Sequence, residues 1–406
     1  MPTFTEGYLR YLMRREDVRE FHLGETPEQI LARLTAAQNR LNTQDYAIEL
    51  SPPFCPHTSS KDLLFKPARF EDKLYIRHLN RRLCAVYKVR HADRHAIVRQ
   101  VKNLLKADAH LKIVRTDVRR FFRNIAFARL LERLRVDGLL SSVELEGLAR
   151  IARFVQHYQT KGVPWGLSIS STLAEIYLRG FDLAIRSTRQ VYYYQRFVDD
   201  IVVFTTGEPQ DVIGILSQNL ASLDLRLNSD KTVVISESLS VAGQFSYLGY
   251  AFKRQPEYNN KGRFKDKEVD VSVTISEAKI ERLEQRISES FSCFYSDRNW
   301  HNLRDRVRVL TGNYSITKSA HEAPIKIGIY FNYMEITDTS QLTRLDAFLR
   351  SRLLALRSYL VRHGCPSPSP RVREMFRYSF QHGFSSRVLH RISPQRISQI
   401  ASIWSE

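Results

Sequence analysis

The chain has 406 residues, 43% of them hydrophobic, and a formal net charge of +19. Its length predicts two or three structural units, its hydrophobic share excludes wholesale disorder, and its charge points to a polyanionic partner, with nucleic acid first. No apolar run approaches the ~18 residues of a membrane span, and the N-terminus lacks a signal-peptide core, so the expectation is a cytoplasmic protein without a membrane partner.

Residues 1–54 read as a helical extension. Thr26-Pro27-Glu28-Gln29 has the form of a capping box with proline at the first helical position, and Ile30, Leu31, Leu34 and Leu41 follow at helical spacing. After the loop SPPFCPH, the stretch Lys73 to Val89 alternates and has a polar centre. It predicts a hairpin carrying Arg77, Arg81, Arg82 and Lys88, groups suited to clamping a triphosphate. A helix follows, with Ile97, Val98, Val101, Leu104 and Leu105 inward. Leu111 to Thr116 alternates as a strand ending at Asp117, with Phe121 and Phe122 just beyond it.

Two helices are predicted over 127–136 and 142–159. Thr160 to Asp182 opens as a glycine-containing loop, in which Gly162 and Gly166 permit close approach of backbone to a ligand, and continues as a helix. Val191 to Thr206, VYYYQRFVDDIVVFTT, predicts two strands joined by an acidic tip at Asp199 and Asp200. Adjacent carboxylates repel and raise each other's pKa unless a cation neutralises them, and a divalent metal suits hard oxygen ligands. A helix over 209–223, a strand opened by Lys231, and an aromatic strand from Gln244 to Phe252 centred on Gly249 follow.

From Thr274 the pattern turns helical, with Thr274 and Glu277 spaced as a second capping box. Helices near 297–311 and 340–362 precede a linker at 364–370. The remainder reads as a basic tail, with ten arginines and no lysine from Arg350 to Arg396. Arginine without lysine favours phosphate forks and base stacking. Cys55, Cys84, Cys293 and Cys365 are scattered and form no CxxC pair, which argues against a disulfide framework and against a cysteine zinc site.

If the strand ending at Asp117 pairs with the acidic hairpin, Asp117, Asp199 and Asp200 converge. Two metals about 4 Å apart could then activate a 3′-hydroxyl and stabilise departing pyrophosphate. In this order and company the chain resembles the reverse transcriptases. TDVRRFFRNI looks like their first catalytic block, and GVPWGLSISSTLAEIYL like the block usually written with P-Q-G. RFVDD looks like Y-x-D-D, LNSDKT like N-x-x-K-T, FSYLGYAF like the primer grip, and ADRHAIV like the D-R-I-V segment of bacterial and group II intron enzymes. Together the blocks span residues 92–252.

The resemblance implies an α+β right-hand polymerase. Fingers and palm with a small antiparallel sheet would lie at 55–272, a helical thumb at 273–362 and a basic C-terminal tail at 363–406, after the helical extension of 1–54. It implies a metal set of Asp117, Val118, Asp199 and Asp200 for two Mg²⁺ ions, with Mn²⁺ as the alternative, and Lys231 as proton donor to pyrophosphate. Arg77, Arg81, Arg82, Phe122, Trp165, Gly166 and Phe197 would bind the nucleotide, Phe122 as the steric gate against ribonucleotides. Tyr247, Leu248 and Gly249 would seat the primer.

Two positions depart from the pattern. The family's glutamine in P-Q-G is Trp165, which can stack but cannot make amide hydrogen bonds, and the tyrosine of Y-x-D-D is Phe197. The region after the thumb is too short and acid-poor for an RNase H domain. The chain therefore looks most like the solitary bacterial enzymes, above all the abortive-infection or defence-associated group. That likeness implies deoxynucleotide substrates, a DNA product, a noncoding RNA template or scaffold and a role against phage, with a homo-oligomer or a partner protein compatible with it. The alternatives are a retron-type enzyme making a branched RNA–DNA product, a template-independent polymerase, and a non-catalytic RNA-binding module.

Overall fold

A computed structural model describes residues 3–55, 63–106, 111–159, 161–237, 243–255, 270–316, 324–364 and 370–404. The chain forms two compact units. Met1–Asp93 and Leu111–Ser236 build the first; Arg94–His110, Glu237–Thr317 and Ala323–Glu406 build the second.

The first unit opens with α1 (Glu6–Leu12), α2 (Arg15–Glu20) and α3 (Pro27–Leu41). The predicted capping box starts α3: Gln29 N–H donates to Thr26 Oγ1 and Thr26 N–H to Gln29 Oε1. The extension does not stay helical to residue 54, because β1 (Leu50–Phe54) pairs antiparallel with β2 (Leu64–Pro67). Next comes α4 (Phe70–Val86), where a hairpin was expected. Asp72 accepts from the Arg69 backbone and so caps the start of α4. Leu74, Ile76, Leu79 and Leu83 are all buried in it. A helix buried on most of its circumference, with Glu71, Asp72, Arg77 and His78 among its buried residues, has no single apolar stripe, so its spacing imitates strand alternation.

The helix α5 (Arg94–Leu105) belongs to the second unit. The chain then returns to the first with β3 (Leu111–Asp117), α6 (Phe121–Asn124), α7 (Phe127–Asp137), α8 (Ser142–Tyr158) and α9 (Ser170–Arg186). The acidic hairpin is β4 (Val191–Phe197) and β5 (Asp200–Thr205), followed by α10 (Pro209–Ala221) and β6 (Val233–Glu237). The four strands form one sheet in the order β4-β5-β3-β6, with β5 antiparallel to both β4 and β3. Helices α9 and α10 pack on it, and their Leu173, Ile176, Phe181, Val212 and Leu216 close the core against Val114, Ile201 and Val203.

In the second unit β7 (Gly243–Tyr247), β8 (Tyr250–Gln255) and β9 (Asp270–Ile275) form an antiparallel meander. The expected single aromatic strand is thus a hairpin, with Leu248 and Gly249 as its turn at φ +50 and +77°. Thr274 lies in β9, so the second capping box does not form; Ser276 occupies the cap position of α11 (Glu277–Asp297). Next are α12 (Trp300–Thr311), β10 (Asn313–Ile316), β11 (Ile325–Gly328), α13 (Ile329–Tyr333) and α14 (Ser340–Arg362).

The linker expected at 364–370 lies almost wholly outside the described residues. The stretch beyond it is folded rather than a tail: α15 (Pro370–Met375), α16 (Phe380–Ser385), β12 (Leu389–His390) and α17 (Pro394–Ala401). Val372, Met375, Phe380, Ile400 and Trp404 are buried in the core of the second unit, and β12 pairs with β10. Asp346 caps α16 by accepting from the backbone of Phe380 and Gln381 at 2.6 and 3.1 Å. The arginines of this segment line the outside of an apolar set spaced too widely to announce a helix. Cys55, Cys84 and Cys293 are free thiols. Among the described residues, no helix is long and apolar enough to cross a membrane.

Candidate active site

Strand β3 runs Leu111, Ile113, Val114 into the core and delivers Asp117 at its end. Register places Asp117 directly opposite Asp200 on β5, and Asp200 in turn opposite Phe197 on β4. Directly opposed residues project from the same face of a sheet, so these side chains share one face. Val198 and Asp199 are the two-residue turn of the hairpin, and Val118 N–H donates to the Asp199 carbonyl at 3.1 Å. Val198 has φ +59°, a left-handed conformation that a β-branched residue seldom adopts.

Asp117 is buried and both of its carboxylate oxygens are bonded. Asn228 Nδ2 donates to Oδ1 at 3.1 Å and Lys231 Nζ to Oδ2 at 2.9 Å. Asn228 also donates its backbone N–H to the Asp117 carbonyl at 2.8 Å. Lys231 ends a 3₁₀ turn, Ser229–Lys231, that leads into β6. The turn is fixed to β3 by a 2.8 Å hydroxyl pair between Thr116 and Thr232. Arg115, two residues before Asp117 and on its face, brings Nη2 to 4.0 Å from Asp200 Oδ1. The sequence motifs did not single out Asn228 or Arg115; the signal for Asn228 was its place three residues before Lys231 in LNSDKT.

Burial pushes the Asp199 carboxyl above the usual range, and the charge of Asp117 adds to the rise. Burial likewise pushes Asp200 up, with Asp199 as the next cause. The hydrogen bond to Asp117 raises Lys231, which stays an ammonium. The site therefore holds more negative charge than its neighbours offset, and hard oxygen donors on a rigid sheet suit a divalent cation. Yet no three carboxylate, imidazole or thiol side chains among the described residues form a ready coordination shell. Asp117 is turned onto Lys231 and Asn228, so ligation by all three aspartates requires it to release them.

A cavity of about 450 Å³ lies in the same unit, bounded by Arg14, Lys73, Arg77, Phe122, Trp165 and Gly166 among others. Phe122 is half-buried beside Phe121, with ring centroids 5.2 Å apart. Trp165 is 41% exposed, and its carbonyl accepts from Phe65 N–H at 2.8 Å. Gly166 has φ +98°, and a Cβ there would meet Leu64 and the Phe65 carbonyl at 2.6 and 2.8 Å.

The three arginines expected on a hairpin stand instead on α4, each with a protein partner. Arg77 is buried and forks onto Asp17, with Nη2 to Oδ1 at 2.9 Å, and donates to the Leu12 carbonyl. Arg81 donates to Tyr11 Oη at 2.6 Å and lies over its ring, and Arg82 donates to Glu144 at 2.7 Å. Of the three, Arg77 alone lines the cavity that Phe122, Trp165 and Gly166 share. In the second unit Tyr247 and Leu248 are buried, and the turn they form with Gly249 is held from α5. Arg94 donates Nε and Nη2 to the Leu248 carbonyl at 3.0 and 2.6 Å.

Residues 67–252 match the model of the family described as reverse transcriptase (RNA-dependent DNA polymerase). No curated protein matches the sequence. Among solved structures, telomerase from Candida albicans in complex with a TWJ fragment of telomeric RNA aligns at 13% identity and TM-score 0.37, covering 81% of this chain and 54% of that one. Apo telomerase from Candida tropicalis, truncated from its C-terminal domain, aligns at 13% identity and TM-score 0.35, covering 51% and 53%. The chain thus spans about half the length of these telomerases. The fold is α+β with small antiparallel sheets and many helices, the class of a right-hand polymerase. Residues 67–252, a little under half of the chain, are thus similar to the reverse transcriptase family.

Proposed function

We propose that the protein is an RNA-directed DNA polymerase that transfers deoxynucleotides by two-metal chemistry, working with a dedicated noncoding RNA in bacterial defence against phage. The observation that carries the reading is the opposition of Asp117 and Asp200 across β3 and β5, with Asp199 at the adjoining turn. Mg²⁺ ions held by Asp117, Asp199 and Asp200 would supply Lewis-acid activation of the 3′-hydroxyl and charge neutralisation at the triphosphate. Lys231 keeps a proton at Nζ for the departing pyrophosphate. Phe122 walls the cavity where a sugar 2′-hydroxyl would clash, and Leu248–Gly249 seats the primer end. The net charge of +19 supports a stable complex with RNA.

The exposed indole of Trp165 favours a second reading, synthesis without a conventional template, because it offers a stacking surface in place of an amide. One experiment separates these. The protein is purified with its bound RNA, given Mg²⁺ and labelled deoxynucleotides, and its product is sequenced beside an Asp199→Ala, Asp200→Ala control. A product complementary to a bound RNA supports templated copying. A homopolymer or simple repeat matching no RNA supports the untemplated reading. Tight RNA binding without aspartate-dependent product leaves a binding module only.

A further inference from the structure

The face of the sheet opposite Asp117 and Asp200 holds a buried cation that the polymerase chemistry does not use. Arg196 lies on β4 directly before Phe197 and is 5% exposed. Successive strand residues point to opposite faces, so Arg196 approaches the acidic hairpin from behind. Two carboxylates of α9 hold its guanidinium. Asp182 accepts from Nε and Nη2 at 2.9 and 2.8 Å, and Glu175 accepts from Nη1 and Nη2 at 3.1 and 2.7 Å. Asp182 is itself held by Tyr194 Oη at 2.6 Å. Nη1 then donates at 2.7 Å to the carbonyl of Val198.

That carbonyl belongs to the left-handed residue of the turn and to the peptide that leads into Asp199. A β-branched residue at φ +59° is held against its own preference, and such a conformation persists only when its surroundings over-determine it. A planar guanidinium clamped by two carboxylates has no rotational freedom, so it fixes the carbonyl it bonds. The charge of Arg196 also favours the ionised Asp199 carboxylate, and Glu175 and Asp182 beside its guanidinium oppose that field.

We propose that Arg196 is a positioning residue: by bonding the Val198 carbonyl from the back of the sheet, it locks the strained turn that aims Asp199 and Asp200 at the metal ions. This rests on the two-metal reading of the site. It makes a prediction specific to the strain. Glycine adopts positive φ without cost, so Val198→Gly should relieve the turn's dependence on Arg196.

The test uses the full chain and Mn²⁺ alone as probe, with binding read from the free-ion electron paramagnetic resonance signal. Thermal melting serves as the folding check, and kcat and KM for deoxynucleotide are measured alongside. Arg196→Lys is expected to lose roughly 10–100-fold in Mn²⁺ affinity and in kcat, with KM changing less than about twofold. In the Val198→Gly background the same substitution should cost about tenfold less. Should Arg196→Lys melt below the assay temperature, Glu175→Gln, which loosens the guanidinium without removing it, carries the test with an expected loss of about threefold. Wild-type Mn²⁺ affinity in a folded Arg196→Lys overturns the proposal. So does an equal loss with and without Val198→Gly, the mark of a merely structural arginine. If Asp199→Asn binds Mn²⁺ as tightly as wild type, the two-metal reading itself fails and takes this proposal with it.

Discussion

Asp117 and Asp200 stand directly opposite one another on antiparallel strands, and Lys231 hydrogen-bonds the first of them at 2.9 Å. The arrangement keeps negative charge unneutralised on one face of a rigid sheet. Replacing Asp117, Asp199 or Asp200 singly by Asn should lower Mg²⁺-dependent incorporation on the order of 10²–10³-fold or more. In metal-free protein, Asp199→Asn and Asp200→Asn should leave the melting temperature equal or higher, since each removes a repelling charge. Asp117→Asn should lower it, since it loses Lys231. Calorimetry without and with Mg²⁺ checks both.

The Phe122 ring walls a cavity beside Trp165. Phe122→Ala should relax discrimination against ribonucleotides on the order of tenfold or more, measured as the ratio of kcat/KM for matched deoxy- and ribonucleotides. An unchanged ratio in an active enzyme would remove Phe122 from the role of steric gate.

Gly166 combines a positive φ with neighbours that a methyl group would strike at 2.6 and 2.8 Å. Gly166→Ala should cost about 1–3 kcal/mol of stability and raise the KM for nucleotide. Denaturant unfolding and steady-state kinetics together show whether both effects occur.

Arg94 bonds the Leu248 carbonyl twice and the Asn332 carbonyl at 2.7 Å, and lies over the Tyr250 ring. Arg94→Ala should destabilise the protein by about 1–3 kcal/mol, because a turn carbonyl loses its partner. If Leu248–Gly249 seats the primer, the same change raises KM for primer more than KM for nucleotide.

Burial lowers the pKa of His78, which lies against Tyr8 and near Glu144, Arg82 and Arg81. Burial also lowers His390, with Arg308 acting in the same direction. For a base held neutral in the fold, the unfolded chain binds more protons in the window between the folded and unfolded pKa values, so stability rises with pH there. The melting temperature should therefore fall as pH drops below the ordinary histidine value. His78→Gln should flatten that fall if the protonation of His78 drives it.

The site was more legible in the sequence than its surroundings. Asp117 ends β3 and Asp199 stands at the hairpin tip as expected, because strands of β-branched residues flank each carboxylate. The stretch from Lys73 to Val89 misled because α4 is buried on most sides: Tyr75 and Ile76 fill the gaps between Leu74, Leu79 and Leu83 and erase the helical stripe. The turn at Leu248–Gly249 was hidden inside an aromatic run, since leucine at positive φ is not a turn signal. The C-terminal arginines suggested a tail because charge counts do not show that Val372, Phe380, Ile400 and Trp404 meet in a core. Asn228 stands in the stretch that looks like N-x-x-K-T, but its contact with Asp117, 111 residues distant in sequence, is not something that stretch shows by itself.

The burial of Trp404 gives the protein a built-in optical reporter. The chain has three tryptophans. Trp165 belongs to the first unit and is 41% exposed, whereas Trp300 is half-buried and Trp404 is 8% exposed in the second. Trp404 also donates its indole N–H to the Arg286 carbonyl at 3.1 Å. Red-edge emission therefore comes chiefly from the mouth of the cavity that Phe122 and Gly166 line, and blue-edge emission from the second core. Quenching the first with added nucleotide while the second stays constant would follow ligand binding without any label, and loss of the blue component would time the unfolding of the C-terminal helices.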